Sequence, residues 1–175
     1  MDHQLIGRKQ VIYLISGPLG VGKSTTSKAL AQTMQPCVLI EGDHILHMFQ
    51  GYSTSWEERL RLSWKNILAL TRNFIQDGFD VVVDFVVEDE LAWFCSQVAD
   101  LPANLNYVAL MADEPRIIER LHTRGDIQCL DRSLFLRNQM LLSPSNQPFL
   151  YDTTMKDTAQ IVEDIIAGDR FRVSY

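Results

Sequence analysis

The sequence predicts an α/β protein built on a parallel sheet with helices on both faces. Three observations carry that prediction. Runs such as QVIYLIS (10–16) and DVVVDFVV (80–87) are apolar and β-branched without alternation, as in strands buried on both sides. These runs alternate with longer stretches of helical period, which places a helical crossover between parallel strands. A glycine-rich loop, GPLGVGKST (17–25), joins the first such run to the first helical stretch.

The elements follow in order. After strand 10–16 and the loop, STTSKALAQTMQ puts Ala29, Leu30, Thr33 and Met34 at helical spacing, and Pro36 ends it. CVLIEGD (37–43) reads as a second strand closed by Gly42. The stretch 53–79 reads as a long helix, with Ser55 and Glu58 in capping-box spacing and Gly78 as its stop. A third strand spans 80–87. A helix over 88–100 carries Leu91, Phe94, Cys95 and Val98 on one stripe. LNYVALMAD (105–113) is a fourth strand, and EPRIIERLHTR (114–124) a helix with Pro115 in its first turn. Residues 125–149 are polar and basic, then helical. FLYDT (149–153) is a short fifth strand. The stretch 154–168 is a closing helix, with Thr154 and Asp157 in capping-box spacing.

The totals bound the function. A chain of 175 residues with no internal repeat or linker is expected to form one domain, 1–175. Hydrophobic residues make up 46 %, too many for a disordered chain. A net charge of −6 argues against a broad nucleic-acid-binding face. No apolar stretch has the length of a membrane span, and MDHQLIGRKQ lacks the apolar core of a signal peptide. Cys37, Cys95 and Cys129 are widely spaced and odd in number, which fits reduced, buried thiols. The expectation is a cytoplasmic monomer or homodimer with no nucleic-acid or membrane partner. The aromatics Trp56, Trp64, Phe74, Phe79, Phe85, Trp93 and Phe94 are expected mostly in the core; Trp56 opens its helix near the acceptor side and could instead line a pocket.

The loop has the spacing G-x-x-x-x-G-K-S, fixed by Gly17, Gly22, Lys23 and Ser24. Its glycines let successive backbone N–H groups turn inward to form an anion cradle. A lysine here reaches outer phosphates, and a serine hydroxyl here can ligate Mg2+. Gly17, Pro18, Leu19, Gly20, Val21, Gly22, Lys23, Ser24 and Thr25 are therefore the expected nucleotide-binding residues. The helix beginning at Gly22 or Lys23 would aim its N-terminal dipole at the phosphates.

In such sheets ligands bind beyond the carboxyl ends of the strands. Asp43, after the second strand, stands where a carboxylate can accept an acceptor hydroxyl's proton; it could also cap the segment 44–49. His44 and His47 could share a helix face and touch substrate. Asp84, after VVV, resembles the aspartate that orients Mg2+ opposite a phosphate loop, with Phe85 where ATP-hydrolysing motors often carry a second acid. Glu88 and Asp89 read as first-turn acids of the next helix. Arg116, Arg120 and Arg124 lie four apart on one helix face, with Arg132 and Arg137 beyond. Arg120 and Arg124 are the expected phosphate partners, since the guanidinium fork pairs bidentately with phosphate oxygens. The alternative is a solvated face paired to Glu119 and Asp126. Arg59 and Arg61 read as a solvated face or as anion contacts.

Together YLISGPLGVGKSTTSKAL, IEGDHI, VVVDF and ERLHTRGD resemble the small P-loop kinases of metabolites and antibiotics, such as gluconate kinase, shikimate kinase and chloramphenicol phosphotransferase. The resemblance implies a three-layer, nucleoside-monophosphate-kinase-like P-loop fold with a five-stranded parallel core and a lid, placed here at about 125–142. It implies ATP and Mg2+ at Lys23 and Ser24, a substrate-facing carboxylate at Asp43, and lid-associated arginines at Arg120 and Arg124. The expected reaction moves a γ-phosphoryl group to a hydroxyl of a small molecule. GDHILH has one residue more before its histidine than the G-D-x-L-H of gluconate kinases, so the acceptor stays open. A nucleoside or nucleotide kinase and a nucleotide-binding regulator are the alternatives. A GTPase is disfavoured because neither N/T-K-x-D nor D-x-x-G occurs.

Overall fold

The computed structural model describes residues 8–51 and 53–174. The segment MDHQLIG, on which part of the signal-peptide reading rests, lies outside them. Five parallel strands form one sheet in the order β2-β3-β1-β4-β5. They are β1 (Gln10–Ser16), β2 (Cys37–Glu41), β3 (Asp80–Asp84), β4 (Ala103–Met111) and β5 (Leu150–Asp152). Among the described residues, seven α-helices connect and cover them: α1 (Lys23–Thr33), α2 (Gly42–Leu46), α3 (Trp56–Gln76), α4 (Leu91–Val98), α5 (Glu114–Arg124), α6 (Leu130–Leu142) and α7 (Thr158–Ala167).

Strand periodicity divides the core into two layers. Ile12, Leu14, Val81, Val83 and Leu105 face one side, where Trp64 and Ile67 of α3, Phe94 of α4 and Met140 of α6 cover them. Tyr13, Ile15, Val82, Val108 and Leu110 face the other, against Leu30 of α1, Ile117 of α5 and Ile161 of α7. Continuous apolar runs are what a doubly covered sheet requires. Among the described residues, no helix is long and apolar enough to cross a membrane.

Several boundaries differ from the sequence reading, for local reasons. β2 ends at Glu41, and Gly42 opens α2 instead of closing the strand. A side chain at 42 would bring its Cβ within 2.4 Å of the Phe85 ring, so the glycine is there for close approach. β3 stops at Asp84, and α4 begins only at Leu91. Glu88 and Asp89 are thus loop residues rather than first-turn acids. β4 starts two residues earlier than expected, at Ala103. α7 begins one turn later than expected: Asp157 caps it in a reciprocal box with Gln160. Thr154 instead accepts a hydrogen bond from Asp113 N–H and donates to Asp152. On α1, Thr33 is exposed, and the buried stripe is Thr26, Ser27 and Leu30. Ser55 does cap α3, but Glu58 pairs with Arg61 rather than returning to the cap. The three cysteines are free and half-buried.

Asp113 caps α5, its Oδ1 accepting from Arg116 N–H at 2.9 Å. Replacing such a cap with alanine costs about 1 kcal/mol. Asp113→Ala is therefore expected to lower Tm by about 2–4 °C, read by calorimetry.

Candidate active site

The site lies at the carboxyl ends of the strands and is built around the loop between β1 and α1. Gly17 adopts φ +143, and a Cβ there would fall 2.3 Å from the Leu110 carbonyl oxygen. Only glycine lets the chain leave β1 so close to β4. The loop's next four carbonyls are all held by side-chain donors. Pro18 O accepts from Lys23 Nζ at 3.0 Å and Leu19 O from the Ser133 hydroxyl at 2.7 Å. Gly20 O accepts from Arg120 Nη1 at 3.2 Å, and Val21 O lies 3.0 Å from the Thr153 hydroxyl. Carbonyls tied outward favour amides turned inward. The loop then opens directly into α1, whose N-cap, Gly22, offers no side-chain cap to its first N–H groups. Thr25, like Ser24, sits exposed in that first turn.

Lys23 lies between two carboxylates. Burial pushes its ammonium pKa down, while the charges of Asp84 and Asp43 hold it up and Arg124 pushes it down further. Asp84 is buried at the end of β3, and burial raises its pKa against the opposing pull of Lys23 and a hydrogen bond from Ser24. Asp43 sits exposed in α2, where Glu41 occupies the cap position. It therefore serves no cap; it lines a cavity of about 490 Å³ with Lys23, His47, Trp56, Arg59 and Phe85. The two histidines part company. His47 lines this cavity, whereas His44 Nδ1 lies 3.4 Å from Glu41 Oε2.

The arginines divide their work. Arg120 spans the phosphate loop and Thr153, and burial lowers its pKa, helped by Arg116 and Arg124. Arg124 is exposed and close enough to act on Lys23. Arg116 pairs with Glu119 at 2.6 Å, as a solvated face would. Arg132 pairs with Glu88, which ties α6 to the loop after β3. Arg137 Nε donates to Ala112 O at 2.9 Å and fixes α6 to the end of β4. The segment expected as a lid is a short turn plus α6, whose buried face carries Ser133, Leu136 and Met140 and which Ser133 joins to the loop. Arg61 pairs with Glu58, and Arg59 donates to the Thr54 and Gly51 carbonyls.

Sequence reasoning missed Thr153, Ser133 and Glu88 as site residues. Thr153 is fully buried, and its hydroxyl lies 3.0 Å from both Val21 O and Met111 O. Only its place at the end of β5 could have marked it.

The residues that could donate to a divalent cation are Ser24, through its hydroxyl, and Asp84, through its carboxylate. Among the described residues no group of three or more His, Cys, Asp or Glu could hold a metal. That set fits Mg2+, which takes hard oxygen donors, keeps few protein ligands and completes its shell with water and phosphate.

A family model described as an AAA domain matches residues 12–139. No curated protein matches the chain significantly. Solved structures share its fold. The tunicamycin resistance protein of Deinococcus radiodurans superposes with a TM-score of 0.68 at 21 % identity, covering 90 % of this chain and 94 % of its own. A sugar kinase from Janibacter sp. gives 0.66 at 15 %, covering 90 % and 93 %. A gluconokinase from Sinorhizobium meliloti gives 0.61 at 21 %, covering 91 % of each. With the phosphate loop at the head of its central strand, and with neighbours that include small-molecule kinases, the chain belongs to this AAA-domain family and has the fold of the small P-loop kinases.

Proposed function

We propose that the protein is an ATP-dependent phosphotransferase that moves the γ-phosphoryl group to a hydroxyl of a small molecule. The observation that carries this reading is Asp43: an exposed carboxylate on the wall of a molecule-sized cavity that Lys23 of the phosphate loop also lines. In this reading the loop amides and Lys23 hold the β- and γ-phosphates. The acceptor oxygen bonds to the γ-phosphorus as the bond to the bridging oxygen breaks, and ADP leaves with that oxygen. The acceptor's proton goes to the Asp43 carboxylate. Arg120 and Arg124 offset charge on the phosphoryl oxygens. Mg2+, held through Ser24 and Asp84, would supply further neutralisation of the phosphates.

The names of the sugar kinase and gluconokinase neighbours support a small alcohol as acceptor. The net charge of −6 supports a site that does not work on nucleic acid. We read the whole chain as one catalytic unit with residues 125–142 over the site.

The test is ADP release from Mg-ATP against sugars, sugar acids, nucleosides and uncharged alcohols. ADP release that depends on one acceptor and is lost in Lys23→Ala is the expected result. Intact ATP binding with no acceptor-dependent release across the panel would overturn the assignment and favour a nucleotide-binding regulator.

A further inference from the structure

A second cleft of about 660 Å³ adjoins the first, between α3, the loop at 88–90 and α4. Trp56, Leu60, Glu88 and Arg132 line both, so the two are neighbouring chambers of one site. Together they exceed what one small polyol fills, since chambers of this size accommodate drug-sized molecules.

The lining says what kind of molecule fits. All three tryptophans of the chain, Trp56, Trp64 and Trp93, wall the outer chamber. Trp56 is 55 % exposed, Trp93 half-buried and Trp64 buried. The inner chamber sets Leu46, Phe85, Val86 and Leu136 beside the polar groups Lys23, Asp43, His47, Arg59, Glu88 and Arg132. A polyhydroxylated acceptor reaching past those groups would leave hydroxyls unpaired against the apolar and aromatic walls, at a cost for each. The cations are largely committed. Arg59 is bound to backbone carbonyls, Arg61 to Glu58 and Arg132 to Glu88, and Lys23 belongs to the phosphate loop. In the outer chamber this leaves Lys65 facing Glu57, Asp89 and Glu90, which gives an anionic tail no net attraction. Exposed aromatic faces beside an apolar channel suit a planar ring. The Trp64 indole N–H is buried with no partner among the described residues, an unpaired donor in the wall of this chamber.

We propose that the acceptor is an elongated, uncharged alcohol carrying a planar ring. Its hydroxyl lies at Asp43, its apolar body passes Leu60, and its ring rests on Trp56 and Trp93. The placement of the hydroxyl rests on the phosphotransferase reading; the ring site does not.

Because every tryptophan lines this cleft, intrinsic fluorescence reports its occupancy. The probes are phenylalkanols from 2-phenylethanol to 6-phenylhexan-1-ol, with gluconate and thymidine 5′-monophosphate as polar and anionic controls. The expected result is a saturable fluorescence change whose affinity rises about tenfold or more along the alcohol series, with none from the controls. Trp56→Ala, at an exposed position, is expected to weaken the longest alcohol about tenfold and the shortest little. Affinity that is flat along the series, saturation by gluconate or the nucleotide, or a Trp56→Ala variant that binds every alcohol normally would overturn the ring site. ADP release with the same probes separates the two readings. Fluorescence titration without release for any alcohol keeps the ring site and removes the transfer. Release with gluconate and no fluorescence response does the reverse.

Discussion

Asp43→Asn is expected to lower kcat for phosphoryl transfer by about 10²- to 10⁴-fold, the range for loss of a positioned general base. Asparagine keeps the shape and a hydrogen bond to the acceptor hydroxyl but cannot take its proton. The fold should not suffer, because Asp43 is exposed and caps nothing. ATP affinity should be nearly retained, since in the proposed reading the loop and Lys23, not Asp43, hold the phosphates. One secondary effect has a definite sign. The Asp43 charge helps hold the Lys23 pKa up, so its removal lets that pKa fall further. The check is kcat, KM for acceptor and ATP affinity measured side by side. A loss confined to acceptor KM would make Asp43 a binding contact rather than the base.

Asp84→Asn is expected to move stability and activity in opposite directions. Burial outweighs the attraction of Lys23, so the folded-state pKa of Asp84 lies above its ordinary value of 3.8. The folded chain then holds this proton more tightly than the unfolded chain does. Ionising Asp84 therefore costs stability: the cost is absent below 3.8, grows as pH rises toward the raised value and is complete above it. Asparagine removes the cost. The variant should melt with wild type in acid and above it at neutral pH, each kcal/mol recovered being worth about 2–4 °C. Transfer should fall by about 10²-fold or more, because the carboxylate that would face Mg2+ is gone. Paired melting curves from pH 3 to 7, with and without Mg-ATP, test both halves. A variant that melts below wild type at neutral pH would show that Asp84 stabilises the fold through its charge.

What was legible in the sequence was whatever is local. The run 10–16, the glycines and Lys23 announce a strand, a cradle and a helix within sixteen residues, and the structure has them in that order. Asp43 and Asp84 stood out because each follows an apolar run, beyond which this class of sheet puts its ligands; Asp84 does end β3, whereas Asp43 lies in the first turn of α2. The division of labour among the arginines was not. Arg116, Arg120 and Arg124 share one helical spacing; Arg116 finds its partner Glu119 three residues on in the same helix, whereas Arg120 is set apart only by a tertiary neighbour, Thr153. Thr153 and Ser133 were missed for the same reason: each meets the loop across more than a hundred positions of chain. Glu88 was misread because strand and helix ends are weakly encoded; β3 stops three residues early and frees it for Arg132. The pocket walls were hidden too, since core and cleft tryptophans look alike in a helical pattern.

The strand order has a consequence for how the chain is made. β1 is central, yet its neighbours are β3 and β4: Ile12 pairs with Val81 and Leu14 with Tyr107. On a ribosome adding about 5–20 residues per second, this apolar strand emerges several seconds before either partner. In that interval it is an unpaired β-branched segment of the kind that aggregates. Arg8 and Lys9 stand immediately before it, charged gatekeepers at the mouth of the run. Because Thr153, just past β5, holds the loop between β1 and α1, a nascent chain cannot complete that loop's contacts until residue 153 has been synthesised.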